Sequence, residues 1–114
     1  GFWAANCPPC IGRKPHLMEL KAKYPDDLVV IGLHVGGDED RPKIADFLKQ
    51  HNVNYPIAYP EDGLTAYVFG SQSAIPQTAV FDREGRLVKK IAGFNNAIRI
   101  ELDDAVEKTV KGIQ

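Results

Sequence analysis

Few side chains in this sequence can bind a metal or work through sulfur. Its 114 residues include two cysteines and three histidines, whereas a structural zinc site takes about four ligands, so no metal is expected. Position 11, directly after the second cysteine, is Ile rather than His, which excludes the c-type haem attachment pattern. Neither sign of charge dominates: 14 basic residues face 15 acidic ones for a formal net charge of −1. With no basic stripe, nucleic acid is not an expected partner. Long apolar runs are missing as well. The longest, Leu28 to Val35, falls far short of the roughly 20 residues that cross a bilayer, so no membrane contact by this domain is expected. There are no repeats and no low-complexity tracts, and no signal peptide is read in residues 1–114, which says little about the compartment. The chain opens at Gly1-Phe2-Trp3 as though inside a strand, so a truncated first strand in a processed or trimmed chain is expected, and the usual compartment signal is lacking.

What is present suits one domain over residues 1–114: 44% of residues are hydrophobic, enough for a core at this length. A helix is expected from the Cys7-Cys10 region to about Lys23, bent at Pro15. Leu28 to Val35, branched and nearly all apolar, predicts a central parallel strand covered on both faces. Asp40 and Pro42 mark a helix start, with Ile44, Phe47 and Leu48 facing inward, and the acidic run before it reads as loop plus cap. Pro56 and Pro60 confine the segment between them to a sheet edge. A brief helix over 61–69 ends at Gly70, and 71–74 is loop. Gln77 to Asp82 and Leu87 to Ala92 form a hairpin around Arg83-Glu84-Gly85-Arg86. A last helix runs from Asn95 or Asn96 to Gly112. The order predicts an α/β fold, a three-layer α/β/α sandwich whose mixed sheet joins parallel strands to a C-terminal antiparallel hairpin.

The stretch Phe2-Trp3-Ala4-Ala5-Asn6-Cys7-Pro8-Pro9-Cys10 holds both cysteines. It reads as a strand end, a tight loop and the first turn of a helix. The spacing brings both sulfurs onto one turn, where a disulfide closes too short a loop to be mainly structural. Unsatisfied N–H groups and the dipole at a helix N-terminus stabilise a thiolate on Cys7. Cys7 is therefore the expected nucleophile, and Cys10, deeper by one turn, the resolving thiol. Pro8 and Pro9 fit the first helical positions, where a missing N–H costs nothing. Trp3 is expected beside this loop, half core and half substrate platform. His16, His34 and His51 fall on separate elements and read as structural. Tyr55, Tyr59 and Tyr67 read as packing residues.

The cysteine stretch, Pro15, Tyr55-Pro56, and Ile75-Pro76-Gln77-Thr78 followed by Phe81-Asp82-Arg83-Glu84-Gly85 resemble the thioredoxin fold, and within it the TlpA/ResA-like group of thiol-disulfide oxidoreductases. The resemblance covers nearly the whole chain. It implies a thioredoxin fold, a cis Pro76 facing the disulfide, and Trp3, Asn6, Pro8, Ile75 and Pro76 as the surface that meets a substrate, with Phe94 lining the groove beside Pro76. It also implies disulfide exchange with protein partners, as a reductant in cytochrome c maturation or in general thiol reduction. The redox-active Cys7-Cys10 pair would need no other cofactor. An upstream thiol reductase, a monomeric state and an extracytoplasmic place, with a tether through a segment absent here, complete the expectation; a cytoplasmic place stays open.

The departures matter too. Asn6 stands where the group carries Trp, Arg13 where it often has Glu, and Gly1 where thioredoxin has a buried Asp. Arg13 is thus expected to lower the Cys7 pKa, unless it is a solvated charge on the helix surface. Two other functions stay open: a thioredoxin-fold peroxidase, for which Ala4-Ala5-Asn6 offers no hydroxyl ahead of the cysteine, and a redox-inactive binding module.

Overall fold

A computed structural model describes residues 1–71 and 74–112. Strand β1 (Phe2–Trp3) leads through the cysteine loop into α1 (Pro8–Lys23). Then come β2 (Gly32–His34), a 3-10 turn (Arg41–Lys43), α2 (Ile44–Gln50), β3 (Ile57–Ala58) and α3 (Asp62–Phe69). The hairpin β4 (Gln77–Phe81) and β5 (Leu87–Ala92) precedes α4 (Asn96–Lys111). Of the expected loop at 71–74, Gln72 and Ser73 lie outside the described residues.

The five strands lie in the order β3-β2-β1-β4-β5. β1, β2 and β3 are mutually parallel, while β4 runs antiparallel to both β1 and β5. This is the mixed sheet expected from the element order, with the proline-bounded β3 at an edge. Side chains alternate across the sheet, so Phe2 meets Phe69 of α3 edge-on at 5.1 Å and Trp3 stacks on Phe47 of α2 at 5.0 Å. One core unites Leu17 and Leu20 of α1 with Val80, Ile91, Leu102 and Val106 of β4, β5 and α4. His16 Nε2 and Asp103 Oδ1, 2.5 Å apart, tie α1 to α4.

Several terminal signals act as expected. Asn95 caps α4 by accepting from the Ile98 N–H at 2.8 Å. Gly112 ends it in the left-handed conformation that glycine tolerates. Pro15 lies inside α1 without ending it.

Two expectations need correction. Only Gly32–His34 of the Leu28–Val35 run is strand, and Val29 is 80% exposed. The paired register explains this: β1 and β3 together reach only Gly32, Leu33 and His34, so the residues before them have no ladder to join. Of the three tyrosines read as packing residues, Tyr55 is buried but Tyr59 and Tyr67 are exposed.

Candidate active site

The site is assembled at the carboxyl end of β1, where open α/β sheets place theirs. Cys7 is the N-cap of α1, with extended backbone at φ −144° and ψ 93°. Its carbonyl accepts from the N–H groups of Cys10 at 3.0 Å and Ile11 at 3.2 Å. Pro8 and Pro9 occupy the first helical positions. A disulfide joins Cys7 to Cys10 across a Cα separation of 5.2 Å. Cys10 is sealed from solvent, whereas Cys7 keeps 5% of its surface and is flanked by exposed Asn6, Pro8 and Pro9. Of the two cysteines, Cys7 is thus slightly the more exposed residue.

The Ile75-Pro76 peptide is cis. Ile75 is half-buried and packs against the cluster that contains Trp3, Ala4, Cys7, Cys10, Ile44 and Phe47. Pro76 is fully buried; its carbonyl accepts from the Gly93 N–H at 2.7 Å. Trp3 corrects the expectation of a substrate platform: it is 0% exposed, wedged between Phe47 and the His34 ring. It supports the cysteine loop from beneath. Phe94 packs toward the His16 ring at 6.0 Å.

Arg13 is no solvated surface charge, being 1% exposed. One arm of its guanidinium donates to the Gln77 carbonyl at 2.7 Å and the Thr78 hydroxyl at 3.0 Å, and the other donates to the Phe2 carbonyl at 3.0 Å. It thereby fastens α1 to β1 and to the strand that follows Pro76. Burial lowers its pKa to about 10, so it stays charged at neutral pH.

Sequence reasoning passed over two further features. Lys14 is also 1% exposed, with its Nζ 3.7 Å from the centroid of the Trp3 ring. A signal was there to find it: Cys10, Lys14 and Leu17 repeat at helical spacing, and Leu17 is core. The second is Asp40, read as a helix cap. Its carboxylate makes no cap bond and instead accepts from the Ala5 N–H at 2.7 Å and pairs with His34 Nε2 at 2.7 Å. Burial alone would raise the Asp40 carboxyl, but the Ala5 N–H and His34 outweigh it and hold the pKa below the ordinary value. The cysteine loop is thus pinned from β2 and from the turn before α2. Gly36 is needed for this packing, since a Cβ there would fall 2.5 Å from Asp40 Oδ2 and 2.9 Å from His34 Nε2.

Among the described residues no group of His, Cys, Asp or Glu could hold a metal ion, and no helix is long and apolar enough to cross a membrane. What the arrangement can do is break and re-form one sulfur–sulfur bond at a helix N-terminus.

Comparison with known proteins agrees with this chemistry. The Redoxin family model matches residues 1–108. The thiol-disulfide oxidoreductase ResA of Bacillus cereus strain ZK / E33L is 29% identical over 100 residues, 88% of this chain and 57% of that protein. A DsbE homolog of Paracoccus denitrificans, a thiol:disulfide interchange protein, is 31% identical over 112 residues, 92% of this chain and 59% of that protein. This chain thus spans a little over half the length of these curated relatives. The pneumococcal exposed lipoprotein thioredoxin of Streptococcus pneumoniae strain TIGR4 superposes with a TM-score of 0.70 at 25% identity, over 98% of this chain and 81% of that one. The fold is thioredoxin-like.

Proposed function

We propose that this chain, which belongs to the Redoxin family, is a thiol-disulfide oxidoreductase working on protein substrates through Cys7. The observation that carries the reading is the Cys7–Cys10 disulfide at the head of α1, with exposure left only to Cys7. In the reduced protein the Cys7 thiolate attacks a substrate disulfide. A Cys7–substrate bond forms and the first substrate sulfur leaves as a thiolate, which takes up a proton. Cys10 then loses its proton and attacks the Cys7 sulfur. The Cys7–Cys10 bond forms, the second substrate sulfur departs, and two electrons have passed to the substrate. An upstream dithiol returns the pair to its reduced state.

Each neighbour has a task in this cycle. The helix N-terminus and the buried charge of Arg13 favour the thiolate at Cys7. The exposed Asn6 and Pro8, with Ile75 across from them, form the surface offered to an extended partner segment, and the buried Pro76 sets the path of that segment. The pair needs no added cofactor. We place the domain, acting over residues 1–114 as a monomer, outside the cytoplasm as a reductant of the cytochrome c maturation type or for general thiols. That placement rests on the TlpA/ResA resemblance and on the exposed lipoprotein thioredoxin that it superposes on.

Insulin reduction, run beside peroxide consumption, tests the reading. Catalysed insulin reduction that is lost in Cys7→Ser is the expected result. Peroxide turnover without insulin reduction would make the protein a peroxidase, and inactivity in both assays would make it a binding module.

A further inference from the structure

Lys14 has no task in the exchange steps above, yet it is buried beside them. It follows Cys10 by four residues on α1, so the two side chains share a helix face. Its Nζ lies 3.7 Å from the ring centroid of Trp3 and 5.3 Å from that of Phe47, and both rings belong to the buried cluster that holds Cys7 and Cys10. Among the described residues no carboxylate pairs with it. The groups facing it are Arg13 on its own helix, the Tyr55 hydroxyl at 3.5 Å ahead of β3, and the amino group of Gly1 beside β1. Behind Trp3 stands His34 with its Asp40 partner, and behind Phe47 stands His51.

A buried ammonium with no counter-charge is unfavourable, and rings beneath it return only part of its lost hydration. Burial, with repulsion from Arg13 added, accordingly lowers the Lys14 pKa from 10.5 to about 7. With the disulfide closed, no carboxylate among the described residues pairs with the amine. Reduction creates a negative charge, because a cysteine thiolate then forms in the same apolar cluster, and an opposite charge nearby favours the ammonium.

We propose that Lys14 is the proton partner of the Cys7–Cys10 pair, its amine taking up a proton when the pair is reduced and releasing it when the disulfide closes. The inference rests on the exchange activity proposed above. Above the Lys14 titration the amine of the oxidised protein starts neutral. An external dithiol gives two electrons, the Cys7–Cys10 bond breaks, one sulfur gains a proton and the other stays a thiolate, and the second proton settles on Lys14 Nζ. When a substrate disulfide is reduced, the Cys10 proton and the Lys14 proton both leave, matching the two protons gained by the two substrate thiols. Lys14 acts here as a positioning charge for the thiolate, and the coupling makes the potential of the pair depend on pH through an amine.

The test has two arms. In the first, the pair is equilibrated with glutathione across pH, and its proton uptake is read from the slope. Wild type shifts from one proton per pair reduced to two as the pH rises through the Lys14 titration. Lys14→Arg, which keeps its charge, stays at one, and Lys14→Met stays at two until the free thiol titrates. In the second arm, which needs no variant, the Lys14 side chain of isotope-labelled wild type is titrated by NMR. Its proton affinity is expected to rise at least about tenfold on reduction. An identical midpoint in the oxidised and reduced protein, with exchange against glutathione intact, overturns the inference alone. A wild-type pair that never equilibrates with glutathione overturns the exchange reading and this inference with it.

Discussion

The Arg13 guanidinium donates to the Gln77 carbonyl at 2.7 Å, which links the helix carrying both cysteines to the strand that begins right after Pro76. The tie spans 64 residues of sequence and lies under the site.

Replacing Arg13 by Met leaves the Gln77 and Phe2 carbonyls and the Thr78 hydroxyl without their charged donor. Losing one partner of such buried, charge-assisted bonds costs roughly 3 kcal/mol, which is on the order of a 10–20 °C drop in melting temperature for a domain of this size. Thermal and urea unfolding would show it. Arg13→Lys should recover only part of the loss, since an ammonium has no fork to serve two directions. In reduced Arg13→Met the Cys7 thiol should also titrate at higher pH, a cation having been removed. An unchanged thiolate absorbance curve would reduce Arg13 to a structural tie.

Asp40 holds the cysteine loop by its backbone. In Asp40→Asn the amide can accept from the Ala5 N–H, but its pairing with His34 loses the carboxylate charge. A loss of about 1–2 kcal/mol is expected, with faster amide exchange at Ala5 read by NMR. Because the folded carboxyl titrates below its ordinary value, its contribution is present above the unfolded pKa of about 3.9 and vanishes as pH falls through the lower, folded one. Wild type should therefore lose its advantage over Asp40→Asn in acid below about pH 4. A gap that does not narrow as pH falls below about 4 would contradict the assignment.

Lys14 gives a dependence of the same sign in a more alkaline window. Its pKa is about 7 in the oxidised fold and 10.5 ordinarily, so between those values the unfolded chain binds a proton that the folded chain does not. Stability then rises with pH across that window, by at most about 1.4 kcal/mol per pH unit, whereas below it the folded protein carries the full cost of a buried ammonium. Oxidised wild type should gain on oxidised Lys14→Met between about pH 7 and pH 10 when urea midpoints are compared. Parallel curves would mean that Lys14 keeps its proton in the fold.

The two cysteines should behave unequally. Cys10→Ser is expected to accumulate a mixed disulfide on Cys7 with a substrate or with glutathione, because the resolving attack is gone. Cys7→Ser should accumulate none, given that Cys10 is sealed from solvent. Mass spectrometry after incubation with an excess of disulfide distinguishes them, and equal trapping in both variants would contradict the assigned roles.

The cysteine site could be read from the chain because its parts are neighbours in sequence: Cys7, two prolines that suit helix N-terminal positions, and Cys10 one turn on. The hairpin and α4 were equally legible, since Gly85, Asn95 and Gly112 each mark a turn or an end with local chemistry. Leu28–Ile31 carries the pattern of a buried strand yet forms none, because pairing depends on how far β1 and β3 extend and not on the run itself. Charge concealed the burial of Arg13 and Lys14. Both lie on the stripe shared by Cys10 and Leu17, but a basic pair reads as solvent-facing until its neighbours are known. Nothing local could have assigned Asp40 to Ala5, whose bond closes a gap of 35 residues.

Trp3 is the sole tryptophan of the chain, and its indole is packed into the cluster that holds the disulfide, with the Lys14 amino group over its ring. Disulfides quench indole emission and a nearby charge shifts its wavelength. The protein therefore contains its own optical gauge: intrinsic fluorescence, with no label attached, should distinguish the oxidised domain from the reduced one and follow the conversion in real time.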